Sequence, residues 1–568
     1  METALDAPPA TEAMARDLAV LRANADRWAR LPVAEKVRYL DAILQRTESV
    51  AEGQVRAAHA AKGIAPGSPW EAEDWLGGPV IQARVVRLMR RTLTQIAATG
   101  KPTLPDGAVR TRPNGRLAVD VFPETPLDRV SLPGFRAEVW LQEGVSRDNV
   151  AAHQAAFYAQ SQPKGAVTLV LGAGNVASIG PLDMVDALFV DGQVCLLKFN
   201  PVNAYLGPFV EEAFADLIRD GFVRTAYGGA DVGAWLCGHP EVDRIHITGS
   251  DKTHDAIVFG GGAEGAKRKR QNRPRLKKKV TSELGNVSPV IIVPGPWTTS
   301  DLRFHAENVA TQMTNNGGFN CNACKVIVLS EAWPQKRLFL DLLRGVLARV
   351  PQRRAYYPGA EGRYDRFVGL HPEAEPIGPR TPGVLPWTLV PGLDAGAEDE
   401  ACFTEESFCG ITAQTALPGD TPRDFLANAV DFCNDKLWGT LNACVIVHPR
   451  TREALGPAFH QALEDLRYGS VGVNHWPAMS YALGVTSWGA WPGHTLTDIQ
   501  SGIGVVHNAF MFDKVEKSII EGPFRVRPRP PWFVTHRNAV GVAKRLLAFE
   551  LEPSYLRLPG LIWQALRG

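Results

Sequence analysis

From Gly165 onward the chain alternates apolar runs, at 166–171, 193–199, 222–226 and 242–247, with helical stretches such as Leu206 to Arg219. Two parallel strands need a crossover of a dozen or more residues between them, usually a helix, so this rhythm predicts an α/β chain with a parallel sheet. Its first turn reads Gly172-Ala173-Gly174-Asn175-Val176-Ala177, which satisfies the dinucleotide fingerprint G-x-G-x-x-A. That fingerprint expects an acid at the end of the next strand to hold the ribose. Here the strand ends Leu197-Lys198-Phe199-Asn200-Pro201, and the acid is missing.

A second stretch, Asn315-Asn316-Gly317-Gly318-Phe319-Asn320-Cys321-Asn322-Ala323-Cys324-Lys325, runs into the strand-like Val326-Ile327-Val328-Leu329. Small and amide residues crowd a cysteine there, as they would where backbone approaches a reacting group closely. A thiolate forms thioesters readily, so Cys321 can serve as a nucleophile that carries an acyl group; an inert core cysteine is the plainer reading. Thr281-Ser282-Glu283-Leu284-Gly285-Asn286-Val287-Ser288-Pro289 stands before a second apolar run. A buried carboxylate beside apolar strand residues would have a raised pKa, which suits a general base near neutral pH.

Together the glutamate and cysteine segments resemble the aldehyde dehydrogenase superfamily, whose pattern is Glu-Leu-Gly-Gly-x-x-Pro followed by Asn-x-Gly-Gln-x-Cys-x-Ala. Asn286 replaces the second glycine, and Asn320 stands just before the cysteine. The resemblance spans roughly residues 15 to 515. It implies a Rossmann-type nucleotide domain plus an α/β catalytic domain, with Cys321 as nucleophile, Glu283 as base and Asn175 as oxyanion donor. It further implies that Lys198 meets the adenosine ribose, and that Gly228, Thr248, Gly249 and Ser250 belong to cofactor segments. Glu405-Glu406-Ser407-Phe408-Cys409-Gly410 resembles the family's Glu-Glu-x-Phe-Gly-Pro with Cys409 inserted, which gives Glu406 to the nicotinamide ribose and Phe408 to the nicotinamide. The cofactor is expected to be NAD or NADP. The family often has a glutamate three residues after the lysine, where this chain has Pro201, and the choice stays open. Trp476, Trp488 and Trp491 fall where the family builds a substrate wall, which suggests an apolar aldehyde.

The expected organisation is N-terminal helices and a nucleotide-binding unit at 1–284, a catalytic unit at 285–485, a return and oligomerisation segment at 486–520, and a C-terminal helical extension at 521–568. Residues 1 to 10 read as a loose tail, and Met14, Leu18, Leu21, Trp28, Val37, Leu40 and Leu44 predict two amphipathic helices split near Leu31-Pro32. Lys267 to Lys279 holds nine basic residues, read as a solvated loop before a strand, with nucleic-acid binding or steering of an acyl-CoA as the sharper readings. Asn538 to Leu551 and Leu556 to Leu566 read as short helices that pack on the body or on a sister subunit, with weak membrane-surface contact as the alternative.

With 568 residues, 45% hydrophobic and 21% charged, the chain is of ordinary soluble composition and long enough for two or three domains. A net charge of +1 gives no global field for nucleic acid. Eight irregularly spaced cysteines read as reduced thiols of a cytoplasmic protein, and the N-terminus with Glu2 and Asp6 lacks a secretory pattern. The most apolar stretch, Gly165 to Val190, is broken by Gly172, Gly174, Gly180, Pro181, Asp183 and Asp186, so it does not read as a membrane helix.

The expected activity is oxidation of an aldehyde to an acid by a homo-oligomeric enzyme, usually a dimer or tetramer in this family. A fatty acyl-CoA reductase running the reverse flow with NADPH, or a non-catalytic scaffold, are the other readings. Cys321-x-x-Cys324 could be a redox dithiol or a zinc half-site. No second Cys-x-x-Cys follows, so no metal is expected, and His246 and His254 are expected to pack rather than catalyse.

Overall fold

The computed structural model describes residues 11–568; the expected tail at 1 to 10 lies outside them. Helices α1 (Thr11–Ala29) and α2 (Val33–Lys62) form where the apolar spacing predicts and break at Leu31-Pro32. The buried stripe of α1, Leu18, Leu21 and Trp28, joins the core of the nucleotide sheet, and the Trp28 indole N–H donates to the Leu188 carbonyl at 3.0 Å. Helix α3 (Ile81–Thr99) completes this outer layer.

Three short strands follow, β1 (Val109–Thr111), β2 (Leu117–Phe122) and β3 (Arg136–Leu141). Their place in the chain put them with the nucleotide-binding unit. β3 instead pairs antiparallel with Val515–Glu521, so residues 109–141 extend the other sheet.

The nucleotide sheet contains β4 (Val167–Leu171), β5 (Val194–Lys198), β6 (Val223–Ala226), β7 (Arg244–Gly249) and β8 (Lys279–Leu284), in the order β8-β7-β4-β5-β6 and all parallel. Four of these are the predicted apolar runs. Helices α4 (Ile179–Phe189), α5 (Ala230–Gly238) and α6 (Asp251–Val258) connect them. The basic run departs from its expected form. Its first four residues end helix α7 (Gly262–Arg270), and only the rest is a loop leading into β8.

β8 passes through Gly285-Asn286-Val287 directly into β9 (Ser288–Ile292), so Glu283 lies where the chain crosses from one sheet to the other. The larger sheet then adds, around α8 (Thr299–Thr314), strands β10 (Cys324–Ser330), β11 (Glu375–Ile377), β12 (Trp387–Leu393), β13 (Ile411–Leu417), β14 (Asn442–Ile446) and β15 (Ser470–Val473). β16 (Gly502–Ile503) returns to pair antiparallel with β8, and β17 (Val515–Glu521) returns to the larger sheet. That sheet has eleven strands in the order β1-β2-β3-β17-β15-β14-β9-β10-β13-β12-β11. Both its faces are covered: on β10, Val326 and Val328 enter one apolar cluster while Ile327 and Leu329 enter the other.

In the extension, α9 (Ala539–Leu551) packs on the body, and its buried Glu550 accepts from Arg84 Nη1 at 2.8 Å and from Arg87, both on α3. Helix α10 (Leu558–Leu566) buries Leu558 and Leu561 but leaves Trp563 and Leu566 exposed. Among the described residues no helix is long and apolar enough to cross a membrane.

Candidate active site

A cavity of about 1290 Å³ lies at the carboxyl ends of β4, β5 and β7, the place where open parallel sheets take ligands. Asn175 from the turn after β4, Lys198 from the end of β5, and Thr248, Gly249 and Ser250 from the end of β7 border it. Cys321, Glu283, Glu406 and Phe408 border it from the side of the larger sheet.

Glu283 is 5% exposed, and its in-register neighbours are Thr248 on β7 and Gly502 on β16. Burial pushes its carboxyl up to about 8, while hydrogen bonds with the Cys321 thiol and the Trp488 indole pull the other way. The Cys321 thiol is raised well above its ordinary value, first by burial and then by the facing Glu283 and Glu406 carboxylates. The two groups therefore face each other in a poorly solvated pocket, where burial favours the proton-bearing form of each. The Cys321 carbonyl is fixed by the Ser288 hydroxyl at 3.0 Å and the Asn442 amide at 3.3 Å. Asn286, the departure from the family glycine, donates to Ser288 Oγ at 3.0 Å and to the Asn442 carbonyl at 2.8 Å, and so braces both.

Asn175 is buried, and its Nδ2 donates to the Phe319 carbonyl at 3.0 Å. An amide nitrogen carries two N–H groups, so a second donor remains for the cavity. Behind it stands Asn316, whose role sequence alone did not indicate. It sits in the left-handed region at φ 52°, its N–H donates to Glu73 at 3.1 Å, and its Oδ1 accepts from Tyr356 Oη at 2.9 Å. Asparagine tolerates that conformation better than most residues.

The cofactor assignments divide. Lys198, Gly249 and Ser250 border the cavity; Gly228 does not, and Gly229 occupies that place instead. The Thr248 hydroxyl is turned away to Asp183 Oδ2 at 2.8 Å, so only the rest of the residue faces the cavity. Glu406 lies over the Gly285 backbone: a Cβ at 285 would come within 2.1 Å of Oε2, which requires glycine there. The Asn286 backbone N–H also holds Glu406, whose carboxyl burial raises to about 7. Inserting Cys409 leaves Phe408 on the cavity, with φ 42° absorbing the extra residue. Gly318, at φ 77°, is pressed against the Cys409 backbone, 2.7 Å from where its Cβ would be, and Lys325 Nζ bridges the Gly318 and Cys409 carbonyls at 3.1 and 2.9 Å.

The expected tryptophan wall is not formed as a set. Trp488 packs with Tyr481, Val506 and Val176 in an apolar cluster that touches Cys321, whereas Trp476 donates to the Asn322 carbonyl at 2.7 Å and Trp491 covers the Lys517 ammonium at 4.6 Å. Trp438, which the sequence did not single out, borders the cavity. His246 and His254 are buried and bonded to Thr281 and Asp255, as packing residues would be.

A family model described as "Aldehyde dehydrogenase family" matches residues 137–350, which include Asn175, Lys198, Glu283 and Cys321. Solved aldehyde dehydrogenases share the fold: the NAD-dependent aldehyde dehydrogenase from Sinorhizobium meliloti aligns with a TM-score of 0.58 at 18% identity, covering 91% of this chain and 88% of that one. Residues 137–350 therefore match the aldehyde dehydrogenase family, and the fold of most of the chain is that of solved aldehyde dehydrogenases. Another solved structure of the same fold, the NADP-dependent glyceraldehyde-3-phosphate dehydrogenase from Bacillus halodurans C-125 complexed with NADP, aligns with a TM-score of 0.60 at 15% identity over 90% of this chain and 91% of that one. Among curated aldehyde dehydrogenases, the coniferyl aldehyde dehydrogenase of Pseudomonas sp. (strain HR199 / DSM 7063) is 26% identical over 296 residues, 48% of this chain and 55% of that protein. The chain spans about half the length of the curated relatives it matches.

Proposed function

We propose that this protein is an aldehyde dehydrogenase that oxidises an apolar aldehyde to its carboxylic acid with a nicotinamide dinucleotide, through a covalent intermediate on Cys321. The observation that carries the reading is that Cys321, Glu283 and Asn175 border one cavity together with Lys198 and Glu406. The cavity also suits the cofactor chemically. Lys198 is almost fully buried with no hydrogen-bond or ion-pair partner among the described residues, and Glu406 stands ready to accept from ribose hydroxyls.

Cys321 transfers its proton to Glu283 and its sulfur bonds to the carbonyl carbon. The resulting oxyanion is held by the second N–H of Asn175 and the backbone N–H of Cys321, one such donor being worth about 3 kcal/mol of barrier. A nicotinamide dinucleotide, held by Lys198 and Glu406, would supply the acceptor for the hydride that leaves this carbon as the thioester forms. Glu283 releases the proton it took from sulfur to solvent and then takes a proton from water, whose oxygen bonds to the thioester carbon; the C–S bond breaks, the acid leaves and the Cys321 thiolate is regenerated. The apolar cluster around Trp488 and Val176 favours an apolar substrate over a charged one.

The test is a panel of aldehydes graded by chain length, read by NADH and NADPH absorbance. Turnover that rises with chain length and vanishes in Cys321→Ser is expected. Turnover only with acyl-CoA and NADPH would instead establish the reverse flow, and activity retained in Cys321→Ser would overturn the covalent route. The same reading includes a homo-oligomer in a reducing cytoplasm, where eight free thiols persist, and is checked by light scattering. It also gives the exposed Leu556, Trp563 and Leu566, flanked by Arg557 and Arg567, to an anionic membrane surface; failure to float with anionic vesicles would remove that part.

A further inference from the structure

The chemistry above leaves one wall of the cavity unused. From Cys321 the cavity continues between α5 and α6, floored by Gly233, Ala234 and Ala256, side chains small enough to admit a flat ring. It ends on Arg275, Leu276, Lys277 and Lys278, the second half of the basic run. These residues stand at the start of β8 while Glu283 stands near its end. Four residue steps along the strand lead from Lys279 to Glu283, roughly 13 Å at the usual rise, so the basic wall is remote from the reacting sulfur.

Lys198 belongs to the same end. It and Lys278 both act on the Cys237 thiol at the end of α5. Lys278 is tied to the His239 carbonyl at 2.5 Å, but Lys198, Arg275 and Lys277 have no hydrogen-bond or ion-pair partner among the described residues. Lys198 is only 7% exposed, and a cation removed from water to that degree calls for an anion. Acids are scarce here. The chain has Pro201 three residues after Lys198, Glu405 is neutralised by Lys252 and Arg366, Asp231 acts on Lys198, and Asp251 is the acid left on the lining at this end, two carboxylates against the four cations Lys198, Arg275, Lys277 and Lys278.

We infer that this end of the cavity binds an adenosine nucleotide whose ribose carries a phosphate monoester in addition to its 5′-phosphate. Such a group brings about −1.5 to −2 charges at neutral pH, which matches the surplus of cations; an unsubstituted ribose leaves them uncompensated. A 2′-phosphate is the chemistry of NADP and a 3′-phosphate that of coenzyme A. The inference rests on the proposed nucleotide role of the cavity, although it does not require Cys321 to react.

Calorimetric titration of the full chain with 5′-AMP, 2′,5′-ADP and 3′,5′-ADP tests it without any turnover. One bisphosphate is expected to bind at least about tenfold more tightly than AMP, with the advantage shrinking as salt is raised. The 2′ isomer winning identifies the NADP source, and the 3′ isomer the coenzyme A source. Arg275→Ala combined with Lys277→Ala, both at exposed positions, is expected to remove most of the advantage and leave AMP binding unchanged. AMP binding as tightly as both bisphosphates, or an advantage untouched by the double variant, overturns the inference while sparing the nucleotide cavity. Failure of all three ligands to bind overturns both.

Discussion

The Asn316 side chain donates from Nδ2 to the main-chain oxygen of Asn175 at 2.9 Å, while its Oδ1 accepts from Lys62 Nζ at 3.2 Å. Lys62 is itself buried against Asp74 at 2.5 Å, so an ion pair in the outer helical layer fixes the turn that carries Asn175, the proposed oxyanion donor. Asn316 touches none of the proposed reacting atoms. It is a positioning residue, acting through Asn175.

Asn316→Ala is accordingly expected to lower kcat about tenfold to a hundredfold, the usual cost of displacing a catalytic group by around an ångström, with little change in dinucleotide affinity. Steady-state kinetics alongside a nucleotide titration separates the two. Equal losses in affinity and kcat would mean that the whole cavity had collapsed rather than one donor having moved.

Glu283 gives the pH dependence. Its carboxyl is pushed up to about 8 by burial, so the base form, and with it turnover, should grow through an alkaline limb near that pH that is absent in Glu283→Gln. Stability runs the opposite way. The folded-state value lies above the ordinary 4.5, so the carboxyl favours folding in full below about pH 4.5 and that contribution is lost as pH rises through about 8. Glu283→Gln should therefore melt higher than the parent at pH 9 and alike near pH 4. Calorimetric melts that coincide at pH 9 would count against a buried, raised carboxyl.

Gly285 and Glu406 give a paired test. A methyl at 285 would meet Glu406 Oε2 at 2.1 Å, so Gly285→Ala must displace that carboxylate. Hydrogen bonds to a charged group contribute about 1.5–3 kcal/mol, and Gly285→Ala is expected to weaken dinucleotide binding by roughly tenfold or more, as Glu406→Ala should. Far-UV circular dichroism should stay unchanged. A Gly285→Ala protein that binds as the parent does would remove Glu406 from the ribose site.

Cys321, Glu283 and Lys198 were legible because each lies in or beside an apolar strand pattern that fixes its place at a sheet end. The four central strands of the nucleotide sheet were legible for the same reason. Asn316 was not, because its partners Lys62 and Asn175 lie 254 and 141 residues away and no local pattern joins them. The strands at 109–141 were misplaced for a similar cause. Alternation marks a strand as half-buried, but β3 finds its partner in Val515–Glu521, and nothing near β3 in the chain says so. Gly229 lines the cavity where Gly228 does not, and Trp438 lines it where Trp491 does not, placements decided by packing that spacing does not encode.

Cys321 and Cys324 are close enough in sequence to admit a redox dithiol, yet they face different interiors. Cys321 borders the cavity and the Trp488 cluster, whereas Cys324 begins β10 and packs with Ile327, Leu329 and Met313. Burial raises both thiols, but Cys324 is 1% exposed whereas Cys321 opens on the cavity, and both are free. Oxidation should then proceed at Cys321 alone, to a sulfenic acid or a mixed disulfide with an added thiol. Cys324→Ala is expected to lose activity under peroxide at the parent's rate, within about twofold, and to recover with reductant as the parent does. Peptide mapping of the oxidised parent that finds a Cys321–Cys324 disulfide, with slower inactivation in Cys324→Ala, would instead mean that the turn opens far enough to bring the two sulfurs together.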